Sequence, residues 1–390
     1  MDLPALGLLS AGLVTLLIGA EALVRGASRL SLALGISPLL IGLTVVAVGT
    51  GSPELAVTVR ATLTHRPDLA LGNVIGSNIM NVLLVLGVGA LITPLHVAQQ
   101  LVRLDVPLLI GASVLLLLMA LSGTIGRVDG IVLLTGTVMY WIFAIRTERA
   151  ETQDVKAEYE EEFGEGDHPR HVSSARQILW ITGGLVALVL GSEWMVDGAT
   201  VIATTFGVSE LIIGLTVVAA GTSLPELATT VVACLRGERD IAVGNVVGSC
   251  LFNILGIVGV AGVLSPDGVA VAPAAVRFDI PVMVATAVAC LPIFLTGHVI
   301  SRWEGALFLG YYAAYVAYLI MDAVGHDALP TLSGIMMTFV VPLTAVTLTI
   351  LAARSLRSSN HDDDHAPRRP PGDGGPEGNG SSVRPHKLGA

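Results

Sequence analysis

The 390-residue chain is poor in charge: Asp, Glu, Lys and Arg make up 13% of it, while 53% is hydrophobic. That balance is too apolar for an ordinary soluble domain. The formal net charge of −10 argues against nucleic-acid binding. Cysteine is scarce as well. Cys234, Cys250 and Cys290 all lie in apolar runs, which leaves no disulfide framework and no zinc spacing. Alternating segments of about ten residues are missing, and with them a membrane β-barrel. There is no HExxH and no paired nucleophile and base, so an enzyme is disfavoured and no catalytic residue or cofactor is assigned. The first apolar run, residues 3–24, has neither a basic leader nor a small-residue cleavage site, and reads as a retained helix.

What the chain has in abundance is apolar runs of about 20 residues, each long enough to span a bilayer. Eleven candidate spans follow, at 3–24, 36–63, 69–92, 104–122, 129–146, 177–195, 208–235, 241–264, 279–297, 303–321 and 331–352. With the N-terminus outside, 17 Lys and Arg fall inside and 4 outside (Arg60, Arg66, Arg127 and Arg277). The positive-inside rule therefore predicts N-out and C-in, which requires an odd number of spans. Residues 148–175 are acidic and read as a solvated cytoplasmic linker, and residues 353–390 as a disordered cytoplasmic tail. Within that tail, His361 to His365 could hold a metal only loosely. The absence of a large regulatory domain and of a targeting peptide suggests a prokaryotic inner membrane.

Shifted by 172 residues, the chain matches itself. From Gly19 to Gly87, 35 of 69 positions are identical without a gap, including IGLTVVA at 41–47 and 213–219. Apolar helices alone would not keep Glu, Pro, Asn and Ser in register. Five spans precede the second copy, so it is inverted relative to the first. Inverted repeats are a hallmark of secondary transporters, whose site lies at the repeat interface near the midplane. The expected fold is an all-α polytopic membrane protein. Residues 1–147 and 176–323 form two inverted five-helix halves, and 324–352 an additional eleventh helix.

Each copy places Pro and Glu in mid-membrane, GTGSPEL at 49–55 and GTSLPEL at 221–227. A helix-interior proline frees the carbonyl four residues back, here Gly49 and Gly221. Bare carbonyls and ionised carboxylates are costly in lipid unless they line a cavity or hold an ion. Glu54 and Glu226, with such carbonyls, are hard oxygen ligands that suit calcium or sodium. Ser77 and Asn81 share one helix face four residues apart, as do Ser249 and Asn253, and can complete the shell. A proline kink or a packing serine would be the plain reading of one copy; two copies in register favour an ion site. Glu21 and Glu193 read as interfacial, with Glu21 paired to Arg25, and Asp68 and Asp240 as helix caps.

The paired motifs, GTGSPEL…GNVIGSNIMN and GTSLPEL…GNVVGSCLFN, resemble the α-repeats of the calcium/cation antiporter superfamily, in particular prokaryotic sodium/calcium exchangers. The resemblance covers residues 1 to 323 and implies ten core helices, with helices 1 and 6 sliding across a core of helices 2, 3, 7 and 8. It implies that Glu54, Glu226 and the carbonyls of Thr50 and Thr222 bind calcium. One flanking sodium site would use the Ala47 carbonyl, Thr50 and Ser77. The other would use the Ala219 carbonyl, Thr222, Ser223 and Ser249, with Asn81 and Asn253 central. The chain departs from the pattern at Gly51, where the motif usually has Ser, at Asn253, where many relatives carry Asp, and in its eleventh helix.

The expected activity is sodium/calcium antiport by alternating access in the lipid bilayer. Two carboxylates balance one calcium or two sodium ions, and a third sodium leaves +1, so a 3:1 exchange would be electrogenic. Electrogenic exchange is the expectation. An empty site with two carboxylates in low dielectric should resist crossing, and protons should compete with calcium. A proton/calcium antiporter using the same glutamates is the alternative, to which Gly51 would be harmless. A cation channel is a further one, distinguishable by single-channel currents.

Overall fold

The computed structural model describes residues 3–163, 174–207, 213, 217, 219–295, 298–342, 344–347 and 349. Among them, eight helices are long and apolar enough to cross a membrane: Leu3–Leu34 (α1), Pro67–Ile92 (α4), Leu101–Ala120 (α5), Arg127–Thr147, Ala175–Thr205, Arg239–Leu264 (α9), Ala275–Phe294 (α10) and Arg302–Ala323 (α11). The fourth belongs to a longer helix, Arg127–Phe163 (α6), and the fifth to Ser174–Thr205 (α7). A ninth span is a bent pair, Pro38–Thr50 (α2) and Ser52–Leu63 (α3), meeting at 45°. The expected seventh span is described only from Ala219, chiefly as Leu224–Arg236 (α8). Of the eleventh, the described part includes Leu329–Ile335 (α12), and Thr344 there accepts or donates a 2.7 Å hydrogen bond with the Tyr311 hydroxyl of α11.

The inversion is visible in who touches whom. Helices α1 and α7 run antiparallel with glycines at their contact. A Cβ on Gly12 would meet the Gly191 carbonyl at 2.8 Å, and one on Gly19 the Gly184 carbonyl at 2.8 Å. Adding 172 to one contact produces the other, as a two-fold axis requires. Gly26 against Gln177 and Gly198 against Ala5 are a second such pair. Small residues let backbones approach where lipid supplies no hydrophobic drive. Further out, Gly87 faces Gly305 and Gly130 faces Gly259, again exchanged by the axis.

Four two-residue strands repeat the pattern in the loops. Leu95–His96 (β1) pairs antiparallel with Val299–Ile300 (β4), and Thr124–Ile125 (β2) with Val269–Ala270 (β3). Each pair joins one loop from each half on one side of the membrane, and the loops it joins share a side in the charge-derived topology. Two polar pairs obey the same axis, one buried and one half-buried. The Tyr140 hydroxyl donates to Asp105 at 3.1 Å, and that of Tyr315 to Asp279 at 3.2 Å.

Two sequence expectations change. The acidic segment after 147 is not wholly a linker, because α6 continues as helix to Phe163. Asp68 and Asp240 lie in first turns but make no capping bond; the N-caps are Arg66 and Glu238. Their charge suits the positive end of the helix without closing it. Glu21 does pair with Arg25, and also with Arg236 at the end of α8. The tail and its His361–His365 cluster lie outside the described residues.

Candidate ion-binding site

The proline of each motif begins a helix instead of bending one. The chain leaves α2 at Gly51 (φ −75, ψ 4) and α3 starts at Ser52, with Pro53 in its first turn. In the second repeat it turns at Ser223 (φ −93, ψ 8), and α8 starts at Leu224 with Pro225 in its first turn. Proline fits there, since first-turn N–H groups have no helical partner. Glu54 and Glu226 therefore lie in the first turns of α3 and α8, where the helix dipole favours a carboxylate. The freed Gly221 carbonyl accepts from the Ser192 hydroxyl.

The partner helices α4 and α9 each carry a π-helical turn, Asn81–Val85 and Phe252–Ile257, with the predicted asparagine at or next to its start. Such bulges recur at functional sites because they widen the turn and re-aim side chains.

The two repeats meet at these four elements. Glu54 and Glu226 are both 0% exposed. Around Glu54, Oε1 accepts from Ser223 at 2.9 Å and from Ser77 at 3.3 Å, and those hydroxyls lie 2.9 Å apart. Asn253 donates to Ser77 at 3.1 Å. Around Glu226, neither carboxylate oxygen has a hydrogen-bond partner among the described residues. The Ser249 hydroxyl instead faces the Ala47 carbonyl at 3.5 Å. The second oxygen of Glu54, both amide atoms of Asn81 and the oxygen of Asn253 are likewise buried without partners. Unpaired buried polar atoms are expensive, and so many at one place mark a site for a polar ligand. Among the described residues no three His, Cys, Asp or Glu gather together. An ion held here would rest on two carboxylates and neutral oxygens.

Seven of the eleven predicted site residues (Glu54, Ser77, Asn81, Ser223, Glu226, Ser249 and Asn253) thus meet where the motifs cross, and Ala47 joins them through its carbonyl. Thr50 and Thr222 lie one step out, locked in a two-fold pair. The Thr50 hydroxyl donates to Asn245 at 3.1 Å, and that of Thr222 to Asn73 at 3.3 Å. Ala219 begins the short turn Ala219–Gly221. The hydrogen bonds at the two flanks run across the repeats. Ser77 belongs with Ser223 and Glu54, and Ser249 with Ala47, because an antiparallel crossing brings each motif against the other repeat's helix. Asn73 and Asn245 were missed, although GN at 72–73 and 244–245 recurs in register.

The two sides of the site differ in access. Gly72 is exposed, and Asn73 and Gly76 are half-buried, whereas Gly244, Asn245 and Gly248 are all buried. A Cβ on Gly244 would meet the Leu39 carbonyl at 2.9 Å, and one on Gly248 the Leu43 carbonyl at 2.6 Å. Helix α2 thus packs over the α9 side; of the segment that the two-fold axis sets against α4, residues 213, 217 and 219–222 are described.

The family model described as sodium/calcium exchanger protein matches residues 4–146 and 176–321. The chain is 38% identical over 316 residues to a putative antiporter, CaxA, of Alkalimonas amylolytica, covering 80% of this chain and 97% of that one. It is 40% identical over 263 residues to the inner membrane protein YrbG of Escherichia coli, covering 67% and 80%. With the sodium/calcium exchanger MaX1 of Methanosarcina acetivorans it shares 32% over 340 residues, covering 79% and 96%. Its fold resembles that of the sodium-calcium exchanger NCX_Mj, solved after soaking at zero Na+ and Ca2+. The TM-score is 0.69 at 29% identity, covering 82% of this chain and all of the other.

Proposed function

Because the chain belongs to the sodium/calcium exchanger family of multi-pass membrane proteins, we propose that it exchanges sodium for calcium by alternating access. The observation that carries this reading is the pair of buried glutamates where two inverted repeats cross, with hydroxyls and a carbonyl around them. Calcium accepts mixed carboxylate, carbonyl and water shells at flexible geometry, and sodium is served by the same hard oxygens. Two carboxylates balance one calcium or two sodium ions. Either load makes the site neutral, and the bare pair of charges opposes return without cargo. A third sodium ion would add a net charge and make the cycle electrogenic.

With the N-terminus outside and the C-terminus in the cytoplasm, the packing of α2 over α9 supports a site closed on its cytoplasmic side, one state of a two-sided cycle. The likeness to an inner membrane protein supports the cell membrane as its place. An inward sodium gradient would then expel calcium. Protons compete for the two carboxylates, which must be ionised to hold calcium, so transport falls as pH falls.

The test is radioactive calcium uptake into sodium-loaded proteoliposomes diluted into sodium-free buffer. Sodium-driven uptake, abolished in Glu54→Gln and Glu226→Gln, is expected. Uptake driven by a proton gradient alone would replace this reading with proton/calcium antiport. Stepwise single-channel currents would replace it with a channel.

A further inference from the structure

The two-fold axis calls for a hydroxyl at position 51, and the chain has none. Ser223 bridges Ser77 and Glu54 on one flank. Its mate by the 172-residue shift is Gly51. The backbone does not demand glycine there. Gly51 has φ −75 and ψ 4, close to the −93 and 8 of Ser223, a conformation any residue adopts.

The space is what differs. A Cβ on Gly51 would lie 3.2 Å from Cδ1 of Phe252 and 3.1 Å from the Ala47 carbonyl. Phe252 stands where the other repeat has Met80. Its ring stacks on Trp141, centroids 6.3 Å apart and planes at 20°. It also fills the room beside Gly256, where a Cβ would come within 2.6 Å of it. An aromatic ring thus crowds the position where the missing side chain would start, and it offers no oxygen ligand. The consequence shows at the carboxylates. Glu54 has two hydroxyls on Oε1, and Glu226 has no partner on either oxygen among the described residues.

We propose that the Glu226 flank is not a sodium site in this chain, and that two sodium ions, not three, exchange for one calcium. The inference rests on the sodium/calcium reading above. That flank keeps the Ala47 carbonyl, Ser249 and Thr50, and lacks the hydroxyl that Ser223 supplies opposite. Calcium loses less than sodium, because its shell is flexible and both carboxylates remain. Each load then carries two positive charges against two carboxylates. Exchange is electroneutral, contrary to the electrogenic expectation from the motif.

The experiment clamps the potential of sodium-loaded proteoliposomes with potassium and valinomycin and follows calcium to its equilibrium ratio. The expected ratio varies as the square of the sodium ratio and does not move with potential. One net charge per cycle would shift it about 50-fold per 100 mV. Such a shift, or a cubic dependence, in the wild type overturns the proposal. The double variant Gly51→Ser/Phe252→Met restores hydroxyl and room, and should make the ratio potential-dependent. If it transports and remains potential-insensitive, position 51 does not set the count. If it fails to fold, the wild-type ratio alone still decides. Absence of any sodium-driven uptake in the wild type instead overturns the sodium reading on which this one stands.

Discussion

The two repeats share half their residues over Gly19–Gly87 and its copy, yet they build unlike halves of one site. The helix pair α8 and α9 is buried where α3 and α4 are partly open. Pro225, Gly244 and Gly248 are buried; Pro53 is half-buried and Gly72 exposed. A second asymmetry lies in the side chains: two hydroxyls donate to Glu54, whereas Glu226 has no hydrogen-bond partner among the described residues and an aromatic ring stands against Gly51. The first asymmetry involves residues that are the same in both copies, so their identity does not fix it. The second is chemical, since Gly51 and Phe252 have no equivalents at Ser223 and Met80, and no rearrangement can exchange it.

The largest effect should come from the residues the repeats share. Glu54→Gln and Glu226→Gln each remove one of two ligand charges, and calcium affinity should fall about 100-fold or more in either, read by calcium-45 binding. Unequal losses would show that the two carboxylates do not hold one ion equally. Next is access. In a background with the three buried cysteines replaced, Asn73→Cys should react with a membrane-impermeant thiol reagent at least about tenfold faster than Asn245→Cys, as their exposures imply. Equal rates would mean that the packing of α2 over α9 does not shield Asn245 in solution.

Packing should discriminate more mildly. Gly248→Ala drives a methyl against the Leu43 carbonyl and should cost about 1–3 kcal/mol. Gly76→Ala, with no described atom within 4 Å of its added methyl, should stay within about 0.5 kcal/mol. Thermal unfolding in detergent compares them, and equal costs would deny that α2 clasps α9 selectively. Tyr140→Phe should cost about 1–3 kcal/mol by stranding the fully buried Asp105. Tyr315→Phe should cost less, because Asp279 is only half-buried. The smallest effect belongs to Glu21→Gln. Its pairs with Arg25 and Arg236 are partly exposed, and such pairs are worth up to about 1 kcal/mol.

Much of the site was legible because it is written twice. A repeated Pro-Glu in an apolar run has few structural uses, and Ser77/Asn81 and Ser249/Asn253 fall on one face by helical spacing alone. Less legible was the pairing between motifs. Spacing within one segment cannot say which helix it will cross, so the contacts of Ser77 with Ser223 and of Ser249 with the Ala47 carbonyl had no signal in the sequence. The role of proline also escaped: it opens a new helix after Gly51 or Ser223, which depends on where the chain had already turned. Ser192 closing the Gly221 carbonyl joins residues 29 positions apart on separate helices, a contact with no local signature.

The sequence by itself determined a membrane-spanning helical protein, its inverted duplication and the two glutamates, because hydrophobic length and in-register polar residues are properties of the chain. Only the tertiary structure decided which hydroxyls serve which glutamate, that α2 packs over α9, and that Phe252 stands against Gly51. These follow from helices crossing in antiparallel pairs, and at such crossings a few ångströms of glycine or phenylalanine separate an oxygen from a wall.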